Sequence, residues 1–118
     1  MKDKNYFDKL KMIMDEYVHL IYHVTKNFPK EELYGVTSQI RRAALSVILN
    51  YIEGFARKRR AVKLNFWEIS YGSLKESKYL LHFSMTENYL TESDYKNAMK
   101  LAEEIGAMTW RAIESLED

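Results

Sequence analysis

The stretch Gln39-Ile40-Arg41-Arg42-Ala43-Ala44-Leu45-Ser46-Val47-Ile48-Leu49-Asn50-Tyr51-Ile52-Glu53-Gly54-Phe55-Ala56-Arg57 decides the fold. Stepped at about 100° per residue from Ile40, its polar members Gln39, Arg42, Ser46, Asn50, Glu53 and Arg57 share one arc, from about 200° to about 280°. The remaining circumference is nearly all apolar, from Ile40 through Val47, Ile48, Leu49 and Ile52 to Phe55, with Arg41 as the main exception. An ordinary surface helix needs one apolar stripe. An apolar arc of roughly 240° is wider than one core requires, so this helix is expected to be covered on more than one side. In a chain of 118 residues the second cover is expected from another subunit, which makes the protein a homo-oligomer. Leu49 lies opposite Ile40 and is the residue expected at that interface.

The polar stripe has two readings. It is a solvent strip between two buried faces, or a hydrogen-bond network that fixes register inside an assembly. Leaving Asn50 or Glu53 buried and unpaired would cost about 1–3 kcal/mol per group. The network is therefore preferred, with Asn50 and Glu53 mostly buried and Arg42 or Arg57 among their partners; Arg57 lies one helical turn after Glu53. On this reading Glu53→Ala is more damaging than Glu32→Ala, because Glu32 lies in a turn-like stretch.

Outward from this helix the chain reads as all-α. A first helix runs from about Tyr6 to Lys26, with Leu10, Ile13, Met14, Tyr17, Leu20, Ile21 and Val24 at three- and four-residue spacing. Asn27-Phe28-Pro29 ends it, since the residue before proline is pushed out of the α region. Pro29 then opens a short turn and Gly35 marks a bend. The second helix is expected over about Thr37 to Arg59. A third runs from about Val62 to Asn88, with Val62, Phe66, Ile69, Leu74, Leu80, Leu81 and Phe83 as its apolar residues. Its small residues Ser70, Gly72, Ser73 and Ser77 are expected to let a neighbouring helix come close. A fourth starts at Thr91, a good N-cap with Asp94 three residues on, and ends near Leu116. Four long helices with short connections give a single domain over residues 1–118, an up-down-up-down antiparallel four-helix bundle.

Composition supports this. There are four Gly and one Pro, and 47% of residues are hydrophobic. The absence of cysteine excludes disulfides, thiolate metal sites and cysteine nucleophiles. No apolar run approaches the roughly 20 residues of a spanning helix, and Met1-Lys2-Asp3-Lys4-Asn5 leads into no signal-peptide core. A cytoplasmic protein with no membrane contact is expected.

Catalytic and metal chemistry find little support. His19 and His23 lie one turn apart, and Glu16 precedes His19 by three, which gives one Glu-x-x-His motif. A di-iron bundle needs two such motifs and two further Glu residues. On the helical wheel both histidines face away from the Leu10 stripe. The serines Ser46, Ser70, Ser73, Ser77 and Ser84 sit inside helices without a nucleophile elbow, and no glycine-rich phosphate loop is present. No enzyme activity, metal or cofactor is expected.

Charge is uneven. Residues 1–60 hold 12 Lys/Arg against 7 Asp/Glu, and residues 61–118 hold 6 against 10. Arg57, Lys58, Arg59, Arg60 and Lys63 cluster at the corner between the second and third helices. The bland reading is a helix stop whose cations favour the C-terminal dipole. The functional reading is contact with phosphates of RNA or DNA, with Arg41 as a weaker addition. Assembly would bring several such corners together and add weak contacts through effective concentration.

The segment Phe28-Pro29-Lys30-Glu31-Glu32-Leu33-Tyr34-Gly35-Val36-Thr37-Ser38-Gln39-Ile40-Arg41-Arg42-Ala43-Ala44 resembles the signature of the 23S rRNA intervening-sequence proteins. The resemblance continues through Asn50, Glu53-Gly54, Gly72-Ser73-Leu74-Lys75-Glu76 and Tyr89-Leu90-Thr91-Glu92. It implies a bacterial four-helix bundle that assembles as a homopentamer, encoded within 23S rRNA genes or elsewhere in genomes. A similar bundle, the accessory protein of diversity-generating retroelements, uses a basic surface to bind nucleic acid and its reverse transcriptase, so a protein partner of that kind is also implied. The family often has proline where this chain has Ile48. A proline kink is therefore expected to be absent here, and the ring size stays open. The combined expectation is a non-enzymatic oligomeric bundle that contacts RNA or DNA. Its alternative is a protein-binding scaffold with no nucleic-acid role.

Overall fold

The computed structural model describes residues 4–117; Met1, Lys2, Asp3 and Asp118, at the two ends of the expected domain, lie outside the described residues. Helix α1 spans Lys4–Val24, α2 Val36–Phe55, α3 Arg60–Thr86 and α4 Glu92–Glu117. Among the described residues there is no strand. Each helix packs on its neighbours in sequence, and α4 closes the square against α1. This is the up-down-up-down bundle that the spacing predicts.

The core is one cluster drawn from all four helices, with Leu10, Met14, Ile21, Ile40, Leu81 and Ile105 fully buried. The α1 stripe packs inward as its spacing requires. The α4 stripe, from Ala98 to Ile113, does the same. Helix α3 buries only part of its apolar set. Its inward face is Trp67, Ser70, Leu74, Ser77, Leu80, Leu81 and Ser84, whereas Ile69 is 43% exposed and Val62, Phe66 and Phe83 are half-buried. Three of these inward residues are serines, which an apolar count passes over.

The serines are buried because each hydroxyl finds an oxygen. Ser70 Oγ donates to the Val47 carbonyl on α2 at 2.6 Å. Ser77 Oγ donates to the Leu74 carbonyl, so its lone pair accepts from Tyr17 Oη on α1 at 2.8 Å. Ser84 Oγ turns back to Leu80. Ser70 and Ser77 thus bring α3 close to its neighbours, as expected. Gly72 does not: it is exposed, and a Cβ there would meet nothing within 4 Å.

The end of the bundle that holds the α1–α2 and α3–α4 connections is tied by Glu32. The chain leaves α1 through a 3₁₀ turn at Thr25–Asn27 and re-forms one at Lys30–Glu32 after Pro29. Glu32 Oε1 accepts the Val36 N–H at 3.2 Å, which caps α2. Glu32 Oε2 accepts from Tyr89 Oη at 2.9 Å, which links the two connections. A Cβ at Gly35 would lie 2.6 Å from Glu32 Oε1, so the cap needs glycine there. Glu32 is therefore an anchor, not the neutral turn residue that its surroundings in the sequence suggest.

Helix α3 ends two residues earlier than expected. Asn88 adopts φ 63°, Tyr89 N donates to Ser84 O and Asn88 N to Met85 O. That is a Schellman closure with asparagine in the left-handed position. Helix α4 starts as expected, with Asp94 N donating to Thr91 Oγ1 at 3.1 Å.

Candidate nucleic-acid interface and the faces of α2

Helix α2 stops at Phe55, four residues short of the expected Arg59, and α3 begins at Arg60. Lys63 accounts for the early stop. Its Nζ donates to the carbonyls of Gly54 and Phe55, both at 3.1 Å, and so satisfies two of the orphan acceptors at the α2 terminus. The same ammonium lies 5.3 Å from the Phe55 ring centre and 5.4 Å from that of Trp67. Burial pushes its pKa down. Lys63 is a staple between two helices more than an outward cation.

The other corner cations are placed differently. Arg57, Lys58, Arg59 and Arg60 are all exposed. Arg57 Nη2 donates to Glu53 Oε1 at 3.0 Å, and its guanidinium lies 5.2 Å from the Phe66 ring. Arg59 is the N-cap of α3, with φ −75° and ψ 129°, and offers no side-chain cap. The first turn of α3 has no acidic residue. A helix N-terminus carries partial positive charge and favours anions, so Arg59 and Arg60 sit where the dipole disfavours them. The helix-stop reading, with cations soothing the α2 terminus, holds for Lys63 but not for these two.

Arg41 does not join the corner. It lies 14 residues before Phe55, the last residue of α2, about 21 Å along the axis. Its Nε donates to Thr25 Oγ1 at 2.8 Å.

On the polar stripe, Gln39 and Arg42 are exposed. They line an open pocket of about 350 Å³ between α2 and α3, together with Ser46, Ser73 and Glu76. Ser46 and Ser73 share a hydrogen bond of 2.7 Å across that interface. Asn50 Nδ2 donates to both Ser46 O and Ser46 Oγ at 2.9 Å. Within one chain Asn50 and Glu53 are half-exposed, not mostly buried. Asn50 finds a serine where an arginine was expected, and Arg57 serves Glu53. The stripe fills the α2–α3 seam, because serines on both helices let the backbones approach.

The outer face of α2 leaves apolar groups in solvent. Leu49 is 58% exposed, Ile52 40% and Phe55 49%. Beside them, Phe7, Lys11, Tyr51, Ile52 and Phe55 line an apolar pocket of about 220 Å³. Tyr51 Oη donates to the Phe7 carbonyl at 3.0 Å.

The remaining candidates for chemistry are dispersed. His19 Nε2 lies 3.5 Å from Asp15 Oδ1, both largely exposed. Among the described residues no three His, Asp or Glu side chains converge on a metal-sized site. The α3 serines Ser70, Ser77 and Ser84 are engaged in packing bonds. Sequence reasoning missed the double role of Lys63 and the burial of Trp67; the one signal for both was the i, i+4 spacing that places them on a single face of α3.

A family model described as the 23S rRNA-intervening sequence protein matches residues 10–111. Among solved structures, the chain is similar to a protein of unknown function of the S23 ribosomal protein family from Bacteroides thetaiotaomicron. That similarity has a TM-score of 0.85 at 22% identity and covers 92% of this chain and 98% of the other. At that identity it supports the fold alone. No curated protein matches.

Proposed function

The chain belongs to the 23S rRNA-intervening sequence protein family, and from there we propose that it is a non-enzymatic oligomer that contacts RNA or DNA phosphates through its α2–α3 corner. One observation carries this reading: Lys58, Arg59 and Arg60 are exposed in succession, and two of them stand at a helix N-terminus that favours anions instead. The helix dipole does not account for Arg59 and Arg60. Phosphate contact does, since it needs exposed cations and no rigid base-reading element.

Self-association is the second half of the proposal. Leu49, Ile52 and Phe55 form an apolar strip one helical face away from the polar seam. Covering it with a second copy would bring several basic corners onto one particle. The family resemblance implies five copies; Ile48 in place of the family's frequent proline leaves the number to be measured. The same strip also favours the alternative, a scaffold that binds only protein, such as the reverse-transcriptase partner that the resemblance to the retroelement bundle implies.

Fluorescence anisotropy with a structured RNA and a duplex DNA separates the two. Wild type is expected to bind both with little sequence preference and to weaken steeply between about 50 and 200 mM salt. The variant Lys58→Ser/Arg59→Ser/Arg60→Ser is expected to lose that binding. It should stay folded, because serine at the Arg59 position is a good N-cap. Absence of binding by wild type at low salt, or equal binding by the variant, establishes the scaffold instead.

A further inference from the structure

We propose that the pocket at the α1–α2 corner, at the other end of α2 from the basic loop, is a binding site for a phosphate group. The pocket has a volume of about 450 Å³, and Thr25, Lys26, Lys30, Thr37 and Arg41 are among its lining residues. None of its lining residues is acidic. Three cations from three different segments thus face one concavity without an internal counter-charge.

Arg41 is held as a reader of oxyanions would be. Thr25 is 3% exposed, and its Oγ1 donates to the Ile21 carbonyl at 2.7 Å. The lone pair of that hydroxyl accepts Arg41 Nε at 2.8 Å. The guanidinium carbon lies 4.7 Å from the centre of the Tyr22 ring, and Nη2 makes only a long 3.5 Å contact to the Tyr22 carbonyl. A buried threonine and a ring therefore fix the plane of the guanidinium and leave terminal N–H groups for a ligand. Planar paired donors match phosphate oxygens.

Two further features point the same way. The N-terminus of α2 lies at this pocket. Thr37 and Ser38 precede its first intrahelical bond, Val36 N is capped by Glu32 and Gln39 N by the Gly35 carbonyl. Such a terminus favours an anion. Independently, Thr37 is 3% exposed and its Oγ1 has no hydrogen-bond partner among the described residues. A buried hydroxyl without a partner is costly, and Thr37 is among the residues that line the pocket. Glu31 and Glu32 are the nearest acids in sequence. Glu32 caps this terminus through Val36 N and also accepts from Tyr89 Oη, but it is not among the lining residues, and Glu31 is exposed outside the lining.

The phosphate could be free or could terminate a nucleic acid, and the probes distinguish these sources. Isothermal titration calorimetry of the full chain with sodium phosphate, against sodium chloride of equal ionic strength, is expected to show saturable binding with Kd of about 1 mM or tighter. A trinucleotide with a 5′-phosphate is compared with its 5′-hydroxyl counterpart. Binding of phosphate alone identifies a small-anion pocket; preference for the 5′-phosphorylated trinucleotide identifies an end-reading pocket; both support the proposal. Arg41→Lys keeps the charge but loses the fork, and is expected to weaken binding at least about tenfold. Since that change could loosen the corner, the exposed pair Lys26→Ala/Lys30→Ala provides a second variant, also expected to bind more weakly. The corner variant at Lys58, Arg59 and Arg60 is expected to bind phosphate as wild type does, so failure of the RNA reading and failure of this one are separable. No binding of either probe, or binding unchanged in both pocket variants, overturns the proposal.

Discussion

Gly54 is the position where one methyl group should do most harm. A Cβ built there lies 2.6 Å from Trp67 Cδ1, 2.7 Å from Trp67 Nε1 and 3.1 Å from the Lys63 carbonyl. Ordinary carbon contacts need about 3.5–4.0 Å, so α3 or the indole has to move by about 1 Å. The indole cannot move freely. Trp67 is 2% exposed, stacks on Tyr51 at 5.7 Å and donates from Nε1 to the Tyr51 carbonyl at 3.1 Å. Displacing the whole helix would stretch the bonds from Ser70 to Val47 and from Ser46 to Ser73. Overpacking of this kind costs about 1–3 kcal/mol. Disturbing the buried indole bond adds about 1–2 kcal/mol. Against these stands a helix-propensity gain of at most about 1 kcal/mol. Gly54→Ala is therefore expected to destabilise by about 3 kcal/mol, a fall in melting temperature of roughly 10 °C for a domain of this size. Gly72→Ala is the internal control. It is exposed inside α3 with nothing within 4 Å of a new Cβ, so propensity acts alone and should raise stability by about 0.5–1 kcal/mol. Thermal melts by circular dichroism, at one protein concentration because assembly would shift them, measure both. If Gly54→Ala melts level with Gly72→Ala, the account of Trp67 as a lock against the α2 backbone is refuted.

Three other outcomes follow from the same structure. Glu32→Ala is expected to lower the melting temperature more than Glu53→Ala, since Glu32 makes a cap and a cross-link worth about 1–2 kcal/mol, whereas the exposed Glu53–Arg57 pair is worth about 0.5 kcal/mol or less; the reverse order would show that assembly buries the stripe. Burial raises the pKa of Tyr17 from 10.0 to about 12, so the folded state keeps a proton that the unfolded chain releases, and stability should be complete below about pH 10 and decline from there through about pH 12; Tyr17→Phe should shrink that decline in pH-dependent melts, and an unchanged slope would rule Tyr17 out as its source. Leu49→Glu places a charge on the exposed apolar strip and is expected to shrink the particle seen by light scattering coupled to size exclusion; a wild type that is monodisperse near the 14.1 kDa chain mass would end the oligomer proposal.

How much of this was legible without coordinates follows from what local pattern can encode. The four helices, the Thr91 cap, the Pro29 break and the inward stripes of α1 and α4 were readable because apolar spacing and cap chemistry are local. The early end of α2 was not, since it depends on Lys63 reaching back across the corner to the Gly54 and Phe55 carbonyls. Which residues of α3 turn inward was not legible for a related reason: serine is apolar enough to bury only when a particular carbonyl or hydroxyl on another helix meets it, as Val47 meets Ser70 and Tyr17 meets Ser77. The basic corner was visible as a run of cations, yet the burial of Lys63 as a staple and the pairing of Arg57 with Glu53 belong to the fold. Arg41 shows the limit most clearly. Its charge was plain in the sequence, but its removal to the far end of α2 and its seat on Thr25 and Tyr22 come only from bringing the end of α1 beside the start of α2. Sequence by itself determined which faces are apolar and where helices start; tertiary structure decided which polar atoms meet, because a hydrogen bond is satisfied by position in space and not by separation along the chain.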